Sequence, residues 1–295
     1  MRGGDVWDRR LYGTCGALLR KYGDRGKDVF RLKTRLRFTK TGSLKFIGHL
    51  DCMRFFQKAL RRAKWDVAYS GGFSPHQIMS FASPLSVGLT SDGEYIDIEF
   101  HSLPDLPEEE LLRQLNSYMT EELFVTEIHM LEDKAKTSMS LLNACDYLIT
   151  WKDGTTLGAN AVGSPDVNLR ESFTSFMEQE RILVMKKTKR SEKEIDLKPL
   201  ILNYAFTAEE FEEKNKAKLP PLNHEYDSED ELYLTLVSGS VTNIKPELVL
   251  EAYVNHLNLE LKPFSYQVHR IQMYFESGGK DGKLEKTARN TEAEE

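Results

Sequence analysis

Two periods of hydrophobicity run along this chain and trade places at short polar turns. Residues 33–39, KTRLRFT, alternate and place Leu36 and Phe38 on one side, which predicts a strand ending at the Thr41-Gly42 turn. From residue 49 to 64 the period becomes helical. At about 100° per residue His49, Cys52, Met53, Phe56, Leu60 and Ala63 share one face, and Arg54, Lys58, Arg61 and Arg62 share the opposite one. Asp51 falls in the first turn, where a carboxylate suits the helix dipole. Residues 69–76, YSGGFSPH, read as a loop that leads into a strand over 77–82. Ile96, Ile98 and Phe100 alternate inward in a strand over 94–100. Pro107 opens a helix with Glu108, Glu109 and Glu110 in its first turn and Leu111, Leu112, Leu115 and Met119 on its apolar face, and residues 124–130 give another strand. The order β-α-β-β-α-β is that of the ferredoxin-like motif.

The second half repeats the scheme. A strand over 146–151 leads to a helix over 169–180, then to strands over 182–187 and 193–197. An acidic, proline-containing linker over 207–230 interrupts, before a strand over 231–237, a helix opening at Pro246 and a strand over 266–275. The expected fold is therefore α+β: two tandem ferredoxin-like units with antiparallel sheets, over 32–138 and 139–276, the second carrying the acidic insertion. Residues 1–31 and 277–295, polar and without sustained period, are expected to be a disordered extension and tail.

Composition narrows the classes. A chain of 295 residues, 40% hydrophobic, suits two domains. No apolar run approaches the roughly 20 residues of a membrane span, and the N-terminus lacks a secretory signal, so a cytoplasmic location is expected. Cys15, Cys52 and Cys145 are odd in number and lack C-x-x-C spacing, which argues against a disulfide framework and a zinc site. C-x-x-x-C-x-x-C, which leaves one iron of a cluster open for S-adenosylmethionine, does not occur. The net charge of −6 conceals a polarity: residues 1–80 hold 18 Lys and Arg against 6 Asp and Glu, residues 81–140 hold 3 against 13, and the remainder holds 19 against 27. The basic block either faces a polyanion or pairs internally with the acidic block.

Three groups of residues carry candidate chemistry. Arg54, Lys58, Arg61 and Arg62 can track successive phosphates of a nucleic acid, and the loop that follows supplies Tyr69 and Phe73 for base stacking beside Ser70 and His76. The same aromatics also suit capping of a sheet edge. His49, Asp51 and His76 offer general acid-base groups for metal-independent RNA cleavage, although His49 falls on the apolar helix face, where a structural role fits. No metal or nucleotide cofactor is expected, since neither an i,i+4 His pair nor a phosphate-cradling glycine loop is present, and Ser70, Ser74, Ser80 and Ser83 lie in no serine-nucleophile motif. Residues 186–199 read as a hairpin whose basic tip, with Lys186, Lys187, Lys189, Arg190 and Lys193, either extends a phosphate-binding surface or is simply solvated, with Asp196 and Lys198 on one side.

Residues 44–99, with HLD-x-x-R at 49–54, YSGGFSPH at 69–76 and SFASPL at 80–85, followed by KKTKRSEKEIDLKPLI at 186–201, resemble the bacterial radical-SAM-linked proteins, a family built on a domain of unknown function. The resemblance runs over residues 33–275 and leaves 1–31 outside, from which translation is expected to start near Val29 or Leu32. It implies a stand-alone or fused companion of a B12-binding radical-SAM enzyme, often encoded beside ribosomal-protein and ribonuclease G-type genes, and for this chain, which lacks the cluster motif, a separate B12-binding radical-SAM protein is the expected partner. Iron-sulfur cluster, S-adenosylmethionine and cobalamin would then sit on the partner only. Three functions stay open: an RNA-binding companion presenting ribosomal RNA or tRNA, a stand-alone RNA-processing or RNA-modifying enzyme using His76 with His49 or Asp51, and a protein-interaction adaptor.

Overall fold

Leu36 and Phe38 are fully buried on the inward face of the first strand, β1 (Leu32–Lys40), as their alternation requires. The computed structural model that shows this describes residues 31–152, 155–162, 167–187, 192–219, 221–223, 227–276 and 284–286. The expected extension and tail lie outside these residues, but for Arg31 and 284–286. The chain is mixed α+β, with mostly antiparallel strand pairing and seven α-helices among the described residues. It divides into two compact units, residues 1–87 with 93–142 and 275–295, and residues 88–92 with 143–274.

In the first unit β1 is followed by α1 (His49–Ala63), β2 (Asp66–Val67), β3 (Met79–Phe81), β4 (Thr90–Ser102), α2 (Glu108–Asn116), β5 (Val125–Leu131) and the short α3 (Ser138–Leu141). The strand order is β5-β1-β4, with β2 and β3 both antiparallel to β4. The predicted strand over 77–82 shrinks to three residues. Cys52, Phe56, Ala59, Leu60 and Ala63 of α1 and Leu111 and Leu115 of α2 pack with Leu36, Phe38, Phe81, Ile98 and Phe100. The Phe56 ring meets those of Phe38 and Phe81 at 4.9 and 6.1 Å. Full burial of such a ring contributes about 2–3 kcal/mol. No side chain caps the N-terminus of α1, so its apolar face holds it. The helix stops at Lys64, whose φ of 56° turns the chain toward β2.

Before α1, Gly42 takes φ +55°, and a Cβ there would lie 2.1 Å from Glu122 Oε1. The Glu122 carboxylate accepts the Ser43 hydroxyl at 2.7 Å and backbone N–H at 3.0 Å, which together hold its pKa below the usual carboxylate range. Gly42→Ala is expected to lower stability by about 1–2 kcal/mol from the left-handed backbone alone, because the glutamate chain can swing aside. Chemical denaturation checks it, and an unchanged midpoint would contradict it.

The second unit comprises β6 (Leu142–Trp151), α4 (Leu157–Asn160), α5 (Leu169–Glu178), β7 (Leu183–Lys187), β8 (Glu192–Asp196), β9 (Ile201–Ala205), α6 (Ala208–Asn215), β10 (Glu231–Val237), α7 (Pro246–His256) and β11 (Tyr266–Glu276). Its strand order is β11-β6-β10-β9, and Thr90 and Ser91 pair in parallel with His269 and Arg270.

Two expectations are corrected here. The strands at 182–187 and 193–197 pair only with each other. Leu183, Met185, Glu192 and Glu194 are exposed on one face, Val184 and Ile195 are only half-buried on the other, and the edge position of the larger sheet belongs to β9. The supposed linker over 207–230 contains α6, started by Thr207 Oγ1 accepting from the Glu210 N–H at 3.2 Å while Glu210 reaches back to the Phe206 N–H at 3.1 Å. Phe211 anchors the helix in a core with Leu148, Tyr233 and Ile271.

Candidate nucleic-acid interface

Helical periodicity sends Arg54, Lys58, Arg61 and Arg62 to the exposed side of α1 because Cys52, Phe56 and Leu60 claim the other. Arg54 meets Asp51 at 2.9 Å one turn back, with both side chains largely exposed. Such a pair is weak in water. Arg61 donates to the Gln57 carbonyl at 3.1 Å. Among the described residues Lys58, Arg61 and Arg62 have no carboxylate partner.

The basic block as a whole behaves differently. On β1 and just before it, Arg31 pairs with Glu99 at 3.1 Å, Arg37 with Glu127 at 3.0 Å, and Arg35 grips Asp97 through two contacts of 2.8 and 3.3 Å. Asp97 also accepts the Ser138 N–H, and Arg35 donates to the Lys136 carbonyl. Burial would raise the Glu127 carboxyl, but His129 at 2.9 Å and the Arg37 charge more than offset it. The sequence polarity is thus partly consumed between β1 and the acidic block, whereas among the described residues the α1 face keeps cations of the basic block outward.

After α1 the chain makes a structured loop. Tyr69 and Gln77 bridge its base. The Ser70 N–H donates to the His76 carbonyl at 2.8 Å, the Ser70 hydroxyl accepts the His76 N–H at 3.1 Å, and the same hydroxyl meets His76 Nδ1 at 2.8 Å. Gly72 supplies φ +97° at the tip, which a side chain would strain, and Phe73 beside it is wholly exposed. Tyr69 is 44% exposed.

The acid-base candidates have separate partners. His49 stands edge-on to the Phe81 ring at 4.8 Å, and burial lowers its pKa below the usual imidazole value. Asp51 holds Arg54, and His76 holds Ser70. Among the described residues no group of three or more His, Cys, Asp and Glu is placed to hold a metal ion. On the hairpin, Lys186 donates to the Asn243 carbonyl at 2.8 Å and Lys193 is exposed. Lys187 lies at the end of β7, and Lys189 and Arg190 lie outside the described residues. Asp196 staples the hairpin base: the Ile182 N–H at 2.9 Å, then the Lys198 N–H at 3.1 Å, hold its carboxyl below the usual range. Lys198 turns to the Gln179 carbonyl.

A buried polar cluster in the second unit went unforeseen. His269 meets Thr90 Oγ1 at 2.8 Å through Nδ1 and Asp92 at 3.1 Å through Nε2, and Asp92 also accepts the Asn223 N–H at 2.8 Å and amide at 2.9 Å. On β6, the strand beside β11, Asp146 accepts from Thr235 at 2.6 Å and from Tyr274. The signal was present as ionisable residues within long strand patterns, Asp146 in LLNACDYLIT and His269 in YQVHRIQMYF. The hydroxyl-imidazole-carboxylate order suggests a nucleophile, but Thr90 is 0% and His269 1% exposed, so substrate cannot reach them. The cluster ties strands to the Asn223 segment.

Comparison with known proteins adds one family. The model of the family described as "Uncharacterized protein conserved in bacteria (DUF2344)" matches residues 33–246. No curated protein matches the chain. Among solved structures, an unknown protein from Galdieria sulphuraria aligns at 8% identity over 82% of this chain and 99% of that one, with a TM-score of 0.22. Among the described residues no helix is long and apolar enough to cross a membrane.

Proposed function

The chain belongs to the DUF2344 family, and from that premise we propose that it is an RNA-binding companion of a separate enzyme. In this reading α1 and the Tyr69–Gln77 loop hold an RNA substrate while a B12-binding radical-SAM partner, carrying its own cluster, S-adenosylmethionine and cobalamin, performs the modification. The observation that carries the reading is selective neutralisation. Three arginines at β1 are spent on carboxylates, whereas Lys58, Arg61 and Arg62 stand on one exposed helix face with no carboxylate partner among the described residues. Cations aligned on a helix bind phosphates by releasing counterions, without reading sequence. The likeness of residues 44–99 and 186–201 to radical-SAM-linked proteins supplies the partner. The strand orders β5-β1-β4 with β2 and β3 outside, and β11-β6-β10-β9, support two ferredoxin-like units as the scaffold.

Native pull-down with sequencing of both bound RNA and bound protein tests the proposal. Enrichment of a defined RNA together with a cobalamin-dependent radical-SAM protein is the expected result. Recovery of the partner with no RNA would replace the reading by that of a protein adaptor. RNA cleavage by the purified chain, abolished in His76→Ala, would replace it by an enzyme.

A further inference from the structure

We infer that the loop selects unpaired nucleotides, with Phe73 as the platform on which a nucleobase stacks. The inference rests on the RNA-binding reading and narrows it to a substrate class. The loop is built to hold its tip outward. Ala68 N–H donates to the Glu99 carbonyl and Ile78 N–H to the Ala68 carbonyl, so the chain leaves the sheet edge and returns to it at neighbouring residues. The Tyr69–Gln77 bridge and the three Ser70–His76 hydrogen bonds then close the stem. Trp65 N–H bonds the Leu60 carbonyl of α1 just before this excursion, and Phe81 just after it touches the His49 and Phe56 rings of α1. The loop therefore emerges from the sheet edge against which α1 packs.

A fixed stem with a bare phenyl ring at its tip forgoes the burial that a collapsed loop would gain. The residues beside it in the loop, Gly71, Gly72, Ser74, Pro75 and His76, are all exposed, and none offers a large apolar side chain that would extend the ring into a patch. A protein partner would want such a patch around its aromatic anchor. A flat ring among small and polar residues, on the same unit as the exposed cations of α1, instead matches the stacking platforms of single-strand binders. Duplex RNA hides its base faces and offers the ring nothing.

The test uses the full chain with a short single-stranded RNA carrying a central 2-aminopurine and with the same strand annealed to its complement. The wild type is expected to prefer the single strand and quench the probe. Phe73→Ala should weaken single-strand binding about 5- to 150-fold and abolish quenching. Phe73→Trp should preserve both. The side chain is solvent-exposed, so neither variant threatens folding. Equal affinity for the single strand in Phe73→Ala, or equal wild-type affinity for strand and duplex, overturns the inference while the RNA-binding reading survives. Absence of salt-dependent RNA binding in the wild type overturns both.

Discussion

Replacing Arg54, Lys58, Arg61 and Arg62 together by alanine is expected to abolish RNA retention at physiological salt and to flatten what salt dependence remains. Each cation released from a single-stranded phosphate contributes a slope of about 0.7 in log affinity against log salt, so losing the stripe should reduce the slope by roughly 2 to 3. The larger share belongs to Lys58, Arg61 and Arg62. Arg54 already leans on Asp51 at 2.9 Å, so Arg54→Ala alone should have little effect. Alanine is the best helix former and the apolar face of α1 is untouched, so the circular dichroism spectrum and melting temperature should stay close to wild type. Titration of a labelled RNA across a salt series reads the result. An unchanged slope in a folded quadruple variant would remove the α1 face from the interface.

What the sequence disclosed about this surface depended on whether a residue's partner was local. The two faces of α1 follow from helical period alone, and β10 occupies Glu231–Val237 as predicted because its alternation is uninterrupted. The fate of the basic block was not legible. Whether Arg35 stays free or grips Asp97 is decided by a pairing 62 residues away, which no local pattern encodes. The same limit hid the hairpin's isolation: β7 and β8 are strands, as predicted, yet nothing in LVMKK or EKEID says that β9 takes the sheet edge. Helix α6 failed for a different reason. Its Thr207-x-x-Glu210 start is a capping signal, but a cluster of acids beside prolines has the composition of a linker and masks it. The three acid-base candidates are close in sequence, and each finds its own neighbour because a helix face, a helix turn and a loop stem point them apart.

The buried Asp92 cluster carries the largest stability effect expected from a single substitution. Asp92→Ala would leave the buried His269 Nε2 without its acceptor and would untie the exposed Asn223, whose N–H and amide can turn to water, and an orphaned buried donor destabilises by about 1–3 kcal/mol. A loss of roughly 1–3 kcal/mol is expected, against a smaller one for the exposed Asp51→Ala. The pH dependence follows in sign. Burial by itself would raise the Asp92 carboxyl, but hydrogen bonding and charge from His269, with the two Asn223 donors, more than offset it and leave the pKa lowered in the folded chain. A carboxyl lowered by folding stabilises above its unfolded pKa, near about 4, and that contribution drains away as pH falls through the folded value. Urea unfolding at neutral pH and at successive steps below pH 4 should show the wild type losing stability along this limb and Asp92→Ala losing less of it. A variant that unfolds at the wild-type midpoint at neutral pH would mean that water or backbone movement replaces the carboxylate, and the cluster would then be incidental to the fold.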